Sequence, residues 1–128
     1  MWHLRLTYNQ MVVQNELSDD DVDRIFHALA DATRRDIVRR TLTTDASVSE
    51  LAAAYSMSFA AVQKHVAVLE GAGLVTKKPK GRSRIVRADA QTIARAQQLL
   101  DAYALLWRSR IDRLDAVFAD DAAPSSTT

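Results

Sequence analysis

Apolar residues recur every three or four positions in two consecutive stretches near the start of the chain, which is the spacing of one helix face. The first stretch follows Ser18 and the second follows Asp31, and both residue types are favoured N-caps. The apolar positions are Val22, Ile25, Phe26 and Leu29 in the first stretch, and Ile37, Val38 and Leu42 in the second. We therefore predict two helices joined by a tight connection at Ala30 and Asp31.

Two further helices are predicted by capping residues. Ser47-Val48-Ser49-Glu50 has the form of a capping box, and it opens a short helix that runs to about Tyr55. Ser58 is the candidate cap of the next helix, which ends at Gly71-Ala72-Gly73. The apolar stripe of that helix is Ala61, Val62, His65, Val66 and Leu69. Two helices joined by so few residues predict a helix-turn-helix, with the second as its recognition helix.

A basic hairpin is predicted directly after the recognition helix. Residues 74–78 and 84–87 are short strand-like runs, and Pro79-Lys80-Gly81-Arg82 lies between them as a turn. The segment contains no acid from Thr76 to Ala88, and its six bases are Lys77, Lys78, Lys80, Arg82, Arg84 and Arg87. A charge run is usually a solvated loop. Its position after a helix-turn-helix favours a wing.

The last predicted helix, from about Ala90 to Ala119, has an apolar stripe that is nearly heptad. A stripe this long cannot be buried inside a small domain, and exposing it would leave a large apolar patch. We therefore predict a homodimer through the first and last helices, in which the contacts are Val22, Ile25, Phe26, Leu100, Tyr103, Trp107 and Ile111. Lining of a ligand pocket is the alternative for Tyr103 and Trp107. The fold class is mainly α (α+β), a winged helix-turn-helix of about five helices with a two-stranded wing.

Length and composition limit the domain organisation. The 128 residues carry 17 Lys and Arg against 16 Asp and Glu, so the net charge says little about partners. One domain is predicted over residues 18–120, with a frayed tail at 121–128. Residues 1–17 form an extension that is disordered or artefactual, although the alternation from Trp2 to Tyr8 also suits an edge strand. No membrane-length apolar run or signal-peptide core is present, which predicts a cytoplasmic protein.

The same composition argues against several chemistries. No cysteine is present, which excludes disulfides, thiolate nucleophiles and cysteine-ligated zinc. The histidines are His3, His27 and His65, too few and too scattered for a metal site. The carboxylates cluster at helix starts, where capping explains them, and the three glycines cannot form a phosphate-binding loop. We predict no enzyme activity, cofactor or metal.

Several runs of residues together resemble a known family. Ala28 to Val38 (ALADATRRDIV), Ser47 to Ala52 (SVSELA), Val62 to Glu70 (VQKHVAVLE) and Ala72 to Val75 (AGLV) are similar, in the same order, to the core of the ArsR/SmtB winged-helix regulators. The resemblance implies a homodimeric, DNA-binding transcriptional regulator, most often a repressor. The chain departs from the family pattern at Ala32, where Pro is common, and at Gln63, where Ser is usual. The cysteine pair or the final-helix His and Asp ligands of metal-sensing members are missing, so the effector stays unassigned.

The predicted DNA contacts lie on the outward arc of the recognition helix and on the wing: Ser58, Phe59, Ala60, Gln63, Lys64, Lys80, Arg82 and Arg84. Gln63 can pair with adenine and Lys64 with guanine or phosphate. His65 lies on the buried stripe, which favours a hydrogen-bonded structural histidine. Arg34, Arg35, Arg39 and Arg40 are interpreted as a solvated face, and a phosphate contact by one of them is the alternative. The competing function is a winged-helix protein-interaction module, which would show acidic or apolar residues on the arc and wing.

Overall fold

The computed structural model describes residues 17–122, which form five helices and three strands. The helices are α1 (Asp19–Leu29), α2 (Ala32–Thr43), α3 (Val48–Tyr55), α4 (Phe59–Gly71) and α5 (Ala90–Ala122), and the strands are β1 (Ala46–Ser47), β2 (Val75–Lys80) and β3 (Ser83–Ala88). The predicted edge strand at Trp2 to Tyr8 and almost all of the two terminal segments lie outside the described residues. By its internal contacts the chain divides into a winged unit, up to Ala96, and a helical unit, from Gln97.

The helices begin where the capping residues predict. The Ser18 and Ser58 hydroxyls each accept a hydrogen bond from a backbone N–H three residues on, at 3.1 Å, and the Asp31 carboxylate does the same at 3.1 Å. At Ser47 the capping box is complete, because the Glu50 side chain accepts from the Ser47 N–H in return. α5 has a cap that was not predicted, since the Asp89 carboxylate accepts from Gln91 N at 2.9 Å.

The sheet has three antiparallel strands in the order β1-β3-β2, where the sequence predicted a hairpin alone. The additional strand pairs Ala46 with Val86 and Ser47 with Ile85. A two-residue strand is too short to show a periodic pattern, so only the long-range pairing reveals it. The hairpin turn is also tighter than predicted, because the β2–β3 ladder extends to Lys80 and Ser83. Gly81 has a φ of +62° in the remaining two-residue loop, a conformation that favours glycine.

The core of the winged unit is built from residues of every helix and of the long strands. Its most deeply buried members are Ile25, Ile37, Val48, Leu51, Val62, Val66, Leu69, Leu74, Val75 and Val86. Ile25 was predicted to contact a partner, but its side chain is 0% exposed inside its own protomer. It is therefore a core residue. Of the other two predicted contacts on α1, Phe26 is 39% exposed and Val22 is half-buried.

α5 is a single helix of 33 residues, slightly longer than predicted. Within the winged unit its first turns bury Ala96 and pack Ile93 against the core. In the helical unit the same stripe continues through Leu100, Tyr103, Trp107, Ile111, Leu114 and Phe118, which are 38–65% exposed. Within residues 17–122, no helix combines the length and apolar character needed to cross a bilayer.

Candidate nucleic-acid interface

α3 and α4 form the predicted helix-turn-helix, joined by Ser56, Met57 and Ser58. Ser56 ends α3 in the left-handed region, with φ 53° and ψ 39°. Met57 N then donates to Ala52 O at 3.3 Å, which satisfies a carbonyl at the end of the helix. The chain can therefore leave α3 and reach the Ser58 cap of α4 within three residues.

α4 divides into a buried and an exposed side. Val62, Val66 and Leu69 fill the core, whereas all five predicted contacts on this helix and its N-cap are exposed: Ser58, Phe59, Ala60, Gln63 and Lys64. The Ser58 hydroxyl accepts a hydrogen bond from the Ala61 N–H and remains at the surface. The outward arc predicted from the helical period is thus the solvent-facing side of the recognition helix.

The wing and the recognition helix share an open depression. We call it the wing–helix depression; it has a volume of about 150 Å³ and is lined by Ser47, Val48, Ser49, Phe59, Gln63, Arg82, Ser83 and Arg84. The fold thus brings together four of the predicted DNA contacts, from α4 and from the wing. The other four, Ser58, Ala60, Lys64 and Lys80, are exposed but do not line it. The first turn of α3 completes the wall, and the sequence did not predict its part in the site.

Ion pairs neutralise the base of the wing but not its tip. Arg87 donates to Asp45 through Nε at 2.9 Å and Nη2 at 2.6 Å, and this pairing lowers the pKa of the Asp45 carboxyl. Lys77 Nζ lies 4.0 Å from Glu70 Oε1. The other four bases of the hairpin make no ion pair within residues 17–122, and they are Lys78, Lys80, Arg82 and Arg84. The bases without an ion pair therefore lie in the half of the hairpin that contains the turn, and two of them, Arg82 and Arg84, lie beside the recognition helix.

His65 is held in a polar contact on the inner side of the recognition helix. Arg34 Nη1 donates to Nδ1 of His65 at 3.3 Å, and Asp31 Oδ2 lies 3.9 Å from the same nitrogen. The prediction of a hydrogen-bonded structural histidine is confirmed. Arg34 also donates from Nε to Ala28 O at 2.7 Å and from Nη2 to His27 O at 3.2 Å. The prediction that Arg34 belongs to a solvated face is wrong, because this half-buried side chain joins the end of α1 to α4.

A second polar cluster connects α2 to α3. Asp36 accepts hydrogen bonds from Arg39, from Arg40 at 2.8 Å and from the Tyr55 hydroxyl at 2.5 Å. The Tyr55 hydroxyl, followed by the two guanidinium groups, holds the pKa of Asp36 well below its usual range. Burial and the Asp36 carboxylate raise the pKa of Tyr55 to about 12. Arg40 also lies over the Tyr55 ring, 5.2 Å from its centroid. The cluster fixes the first helix of the helix-turn-helix against α2.

The described part of the chain contains no cluster of side chains suited to bind a metal ion. Between residues 17 and 122, no three His, Cys, Asp or Glu side chains lie close enough together to hold an ion.

A helix-turn-helix followed by a basic β-hairpin defines a winged-helix DNA-binding domain. The family model "Bacterial regulatory protein, arsR family" matches residues 31–77. The HTH-type transcriptional regulator Rv2034 of Mycobacterium tuberculosis is 40% identical over 81 residues, which are 63% of this chain and 76% of that protein. The chain belongs to the ArsR family of bacterial regulatory proteins, and it is a DNA-binding transcriptional regulator. The predicted family, fold and non-enzymatic regulatory role are thereby confirmed.

Solved structures share the fold over most of their length. The structure of an ArsR-like transcriptional regulator from Rhodococcus sp. RHA1 is similar with a TM-score of 0.68 and 28% identity, covering 77% of this chain and 92% of that one. The winged helix-turn-helix domain of Mb0332 from Mycobacterium bovis, described as homodimeric, is similar with a TM-score of 0.56 and 26% identity. That match covers 69% of this chain and 87% of the other.

Proposed function

We propose that the protein is a homodimeric repressor that binds an imperfect inverted-repeat operator without sensing metals or thiol oxidation. The observation that carries this proposal is the wing–helix depression, where the exposed arc of α4 lies beside the arginines of the wing. A protein-interaction module would have acidic or apolar side chains on the arc and the wing, whereas this hairpin carries four bases that make no ion pair within residues 17–122. A bacterial regulator that binds DNA has to reach the chromosome, which lies in the cytoplasm. A cytoplasmic location is therefore part of the proposal.

The exposed arc of α4 suits the major groove. A recognition helix contacts base edges with its N-terminal residues, and here Gln63 and Lys64 are one turn from the helix start. In this proposal Gln63 pairs with adenine, and Lys64 with guanine or a phosphate. Ser58 and the first amides of α4 lie at the positive end of the helix, which favours a backbone phosphate.

The wing tip suits the DNA backbone. Lys80 and Arg82 flank the Gly81 turn, and like Arg84 they make no ion pair in the described part of the chain. Cations of this kind contact phosphates or enter the neighbouring minor groove, and they add affinity without reading the major-groove pattern. We therefore assign base recognition to α4 and non-specific affinity to the wing.

The exposed apolar stripe of the helical unit supports dimerisation. Leu100, Tyr103, Trp107 and Ile111 recur at helical spacing and are 38–59% exposed, and an apolar surface of this size needs a cover. We propose that a second copy supplies it, with exposed Phe26 and half-buried Val22 as further contacts. The homodimeric description of the Mycobacterium bovis relative supports this assignment. A two-fold dimer presents two recognition helices and therefore an inverted repeat as its operator.

Two variants of the free protein test the division of roles. After selection of the preferred site from random DNA, Gln63→Ala should weaken that site by about 1–3 kcal/mol and relax preference at one base pair in each half-site. Arg82→Ala should weaken selected and random DNA alike, and it should flatten the plot of log affinity against log salt by about two units per dimer. Arg24→Ala, an exposed arginine of α1 outside the depression, is the control and should change neither.

The outcomes separate the two functions. An unchanged salt slope in Arg82→Ala would make the wing a solvated hairpin. If Gln63→Ala and Lys64→Ala together also leave site preference intact, the interaction-module function replaces DNA recognition. Repression is tested by transcription from a promoter that contains the selected site, which should rise when the gene is deleted and fall when it is restored.

The absence of effector metals is tested on the same operator. The chain has no cysteine, and its affinity should be the same with zinc, with a chelator and with a mild oxidant. A change above about tenfold, which corresponds to ~1.4 kcal/mol of coupling, would overturn this part of the proposal.

A further inference from the structure

The wing–helix depression contains one large apolar side chain among polar and charged ones. Phe59, the first residue of α4, is 49% exposed and shares the depression with Gln63, Arg82 and Arg84. The core does not need it, because Val62 and Val66 already fill the inner side of the helix. The exposed part of the phenylalanine ring contributes no burial free energy unless another apolar group covers it.

Stacking on an arginine does not explain the position of the ring. Between residues 17 and 122, the guanidinium–ring pairs are Arg40 with Tyr55 and Arg110 with Trp107. Neither Arg82 nor Arg84 is therefore stacked on Phe59. The next residue, Ala60, is also exposed, so the first turn of the recognition helix presents two neighbouring apolar side chains to solvent.

The chemistry of the major groove limits what these side chains can meet. Base edges there present hydrogen-bond donors and acceptors, and the 5-methyl group of thymine is the apolar group among them. A polar base edge pressed against a phenyl ring would lose hydrogen bonds to water without replacement, which is unfavourable. Thymine is therefore the base that fits the N-terminal turn of α4.

We propose that Phe59, with Ala60 beside it, reads the 5-methyl group of a thymine in each operator half-site. The proposal rests on the DNA-binding mode given above and adds a specific base to it. Phe59 and Gln63 are four residues apart and lie on one face of α4, about 6 Å apart along the helix axis. Successive base pairs are about 3.4 Å apart. The thymine therefore lies one or two base pairs from the adenine read by Gln63.

Replacement of thymine by deoxyuridine tests the proposal, because it removes the methyl group and leaves base pairing unchanged. Each thymine of the selected site is replaced in turn, symmetrically in both half-sites, and affinity is measured by fluorescence anisotropy. At one position the wild-type protein should lose about fourfold in affinity per half-site, the value of one buried methyl group. The other positions should change affinity less than twofold.

Two variants assign the effect to the ring. In Phe59→Ala the deoxyuridine effect at that position should fall below twofold, although Ala60 is still present. Leu42→Ala is the matched control, because Leu42 is also 49% exposed but lies on α2, outside the depression. It should retain the full effect. Circular dichroism and thermal unfolding of both variants should match wild type, since both side chains are at the surface.

The results distinguish this inference from the proposed function. If selection yields a preferred site but deoxyuridine is tolerated at every thymine, the methyl contact is wrong and the DNA-binding mode stands. A deoxyuridine effect that persists unchanged in Phe59→Ala also overturns the assignment to Phe59. If selection yields no preferred site, the proposed function itself fails.

Discussion

Large apolar side chains are buried in the winged unit but exposed in the helical unit. In the winged unit Ile37, Leu69 and Val86 are fully buried, and they belong to one core shared by helices and strands. In the helical unit Trp107 and Leu106 are 57% and 68% exposed on a helix that has the same periodic pattern. Since burial of apolar area is the main favourable term in folding, the first region carries its own stability, whereas the second gains little from its exposed stripe within one protomer.

Polar contacts differ in the same way. The winged unit is held by side-chain contacts between residues far apart in sequence, such as Arg87 with Asp45 and Tyr55 with Asp36. In the helical unit the polar side-chain contact that the structure shows is local, from Arg113 to Ser109 one turn away. Long-range contacts make the winged unit cooperative, whereas local ones only support a helix.

The largest expected effect is in the core of the winged unit. Leu69→Ala should lower the free energy of unfolding by about 2–5 kcal/mol, because it removes buried methyl groups and leaves a cavity. Leu105→Ala, at a position 62% exposed in the helical unit, should change it by less than about 0.5 kcal/mol. Urea unfolding of both variants measures the difference. Equal losses would show that the helical unit has a core of its own.

Dimer dissociation gives the next largest effect. Trp107→Glu should raise the dimer dissociation constant at least 100-fold, about 2.7 kcal/mol, because a charge would be buried in an apolar interface. Leu105→Glu is the control, since two residues along a helix turn the side chain by about 200°, almost to the opposite face. Sedimentation at micromolar concentration should give a dimer for wild type and for the control. A monomeric wild-type protein would contradict the proposed interface.

A smaller effect is expected at the junction inside the winged unit. Arg34→Ala should lower the free energy of unfolding by about 1–3 kcal/mol, because the Ala28 carbonyl and Nδ1 of His65 lose a donor. The His27 carbonyl loses one of two donors, since it also accepts from Ala30 N. Arg24→Ala removes one exposed ion pair and should cost less than about 1 kcal/mol. Thermal unfolding compares them. If the two variants have the same midpoint, the Arg34 contacts add nothing to the stability of the winged unit.

The smallest effect is a pH dependence confined to the winged unit. The pKa of Asp36 is lowered in the folded state, so its contribution to stability is present above its ordinary pKa of 3.8 and is lost as the pH falls through the lowered value. Asp36→Asn should therefore flatten the acid side of the stability–pH profile. The pKa of Tyr55 is raised to about 12, so the opposite loss occurs as the pH rises from about 10 to that value. Tyr55→Phe should remove this alkaline loss. If the stability–pH profiles of both variants match that of the wild type, the hydrogen bond between Tyr55 and Asp36 does not contribute to stability.

The residues of the site were predictable where one helix face or one cap decides their position. Ser58 caps α4, and the period of 3.6 residues then places Gln63 and Lys64 outward, because Val62 and Val66 must face the core. The basic hairpin was recognisable from its composition and turn residues. The wing–helix depression was not, because the first turn of α3 and the two wing arginines meet Phe59 only when the sheet packs against the helices.

By itself, the sequence determined the elements whose free energy is local: the caps at Ser18, Asp31 and Ser47, the helix faces and the Gly81 turn. Tertiary structure alone decided the third strand, the burial of Ile25 and the role of Arg34, which lies 31 positions before His65. It also decided which bases of the wing stay uncompensated, since Asp45 and Glu70 neutralise Arg87 and Lys77 from other elements. Local patterns fix what each residue can present, but a charge or an apolar side chain gains its partner only through contacts across the folded chain.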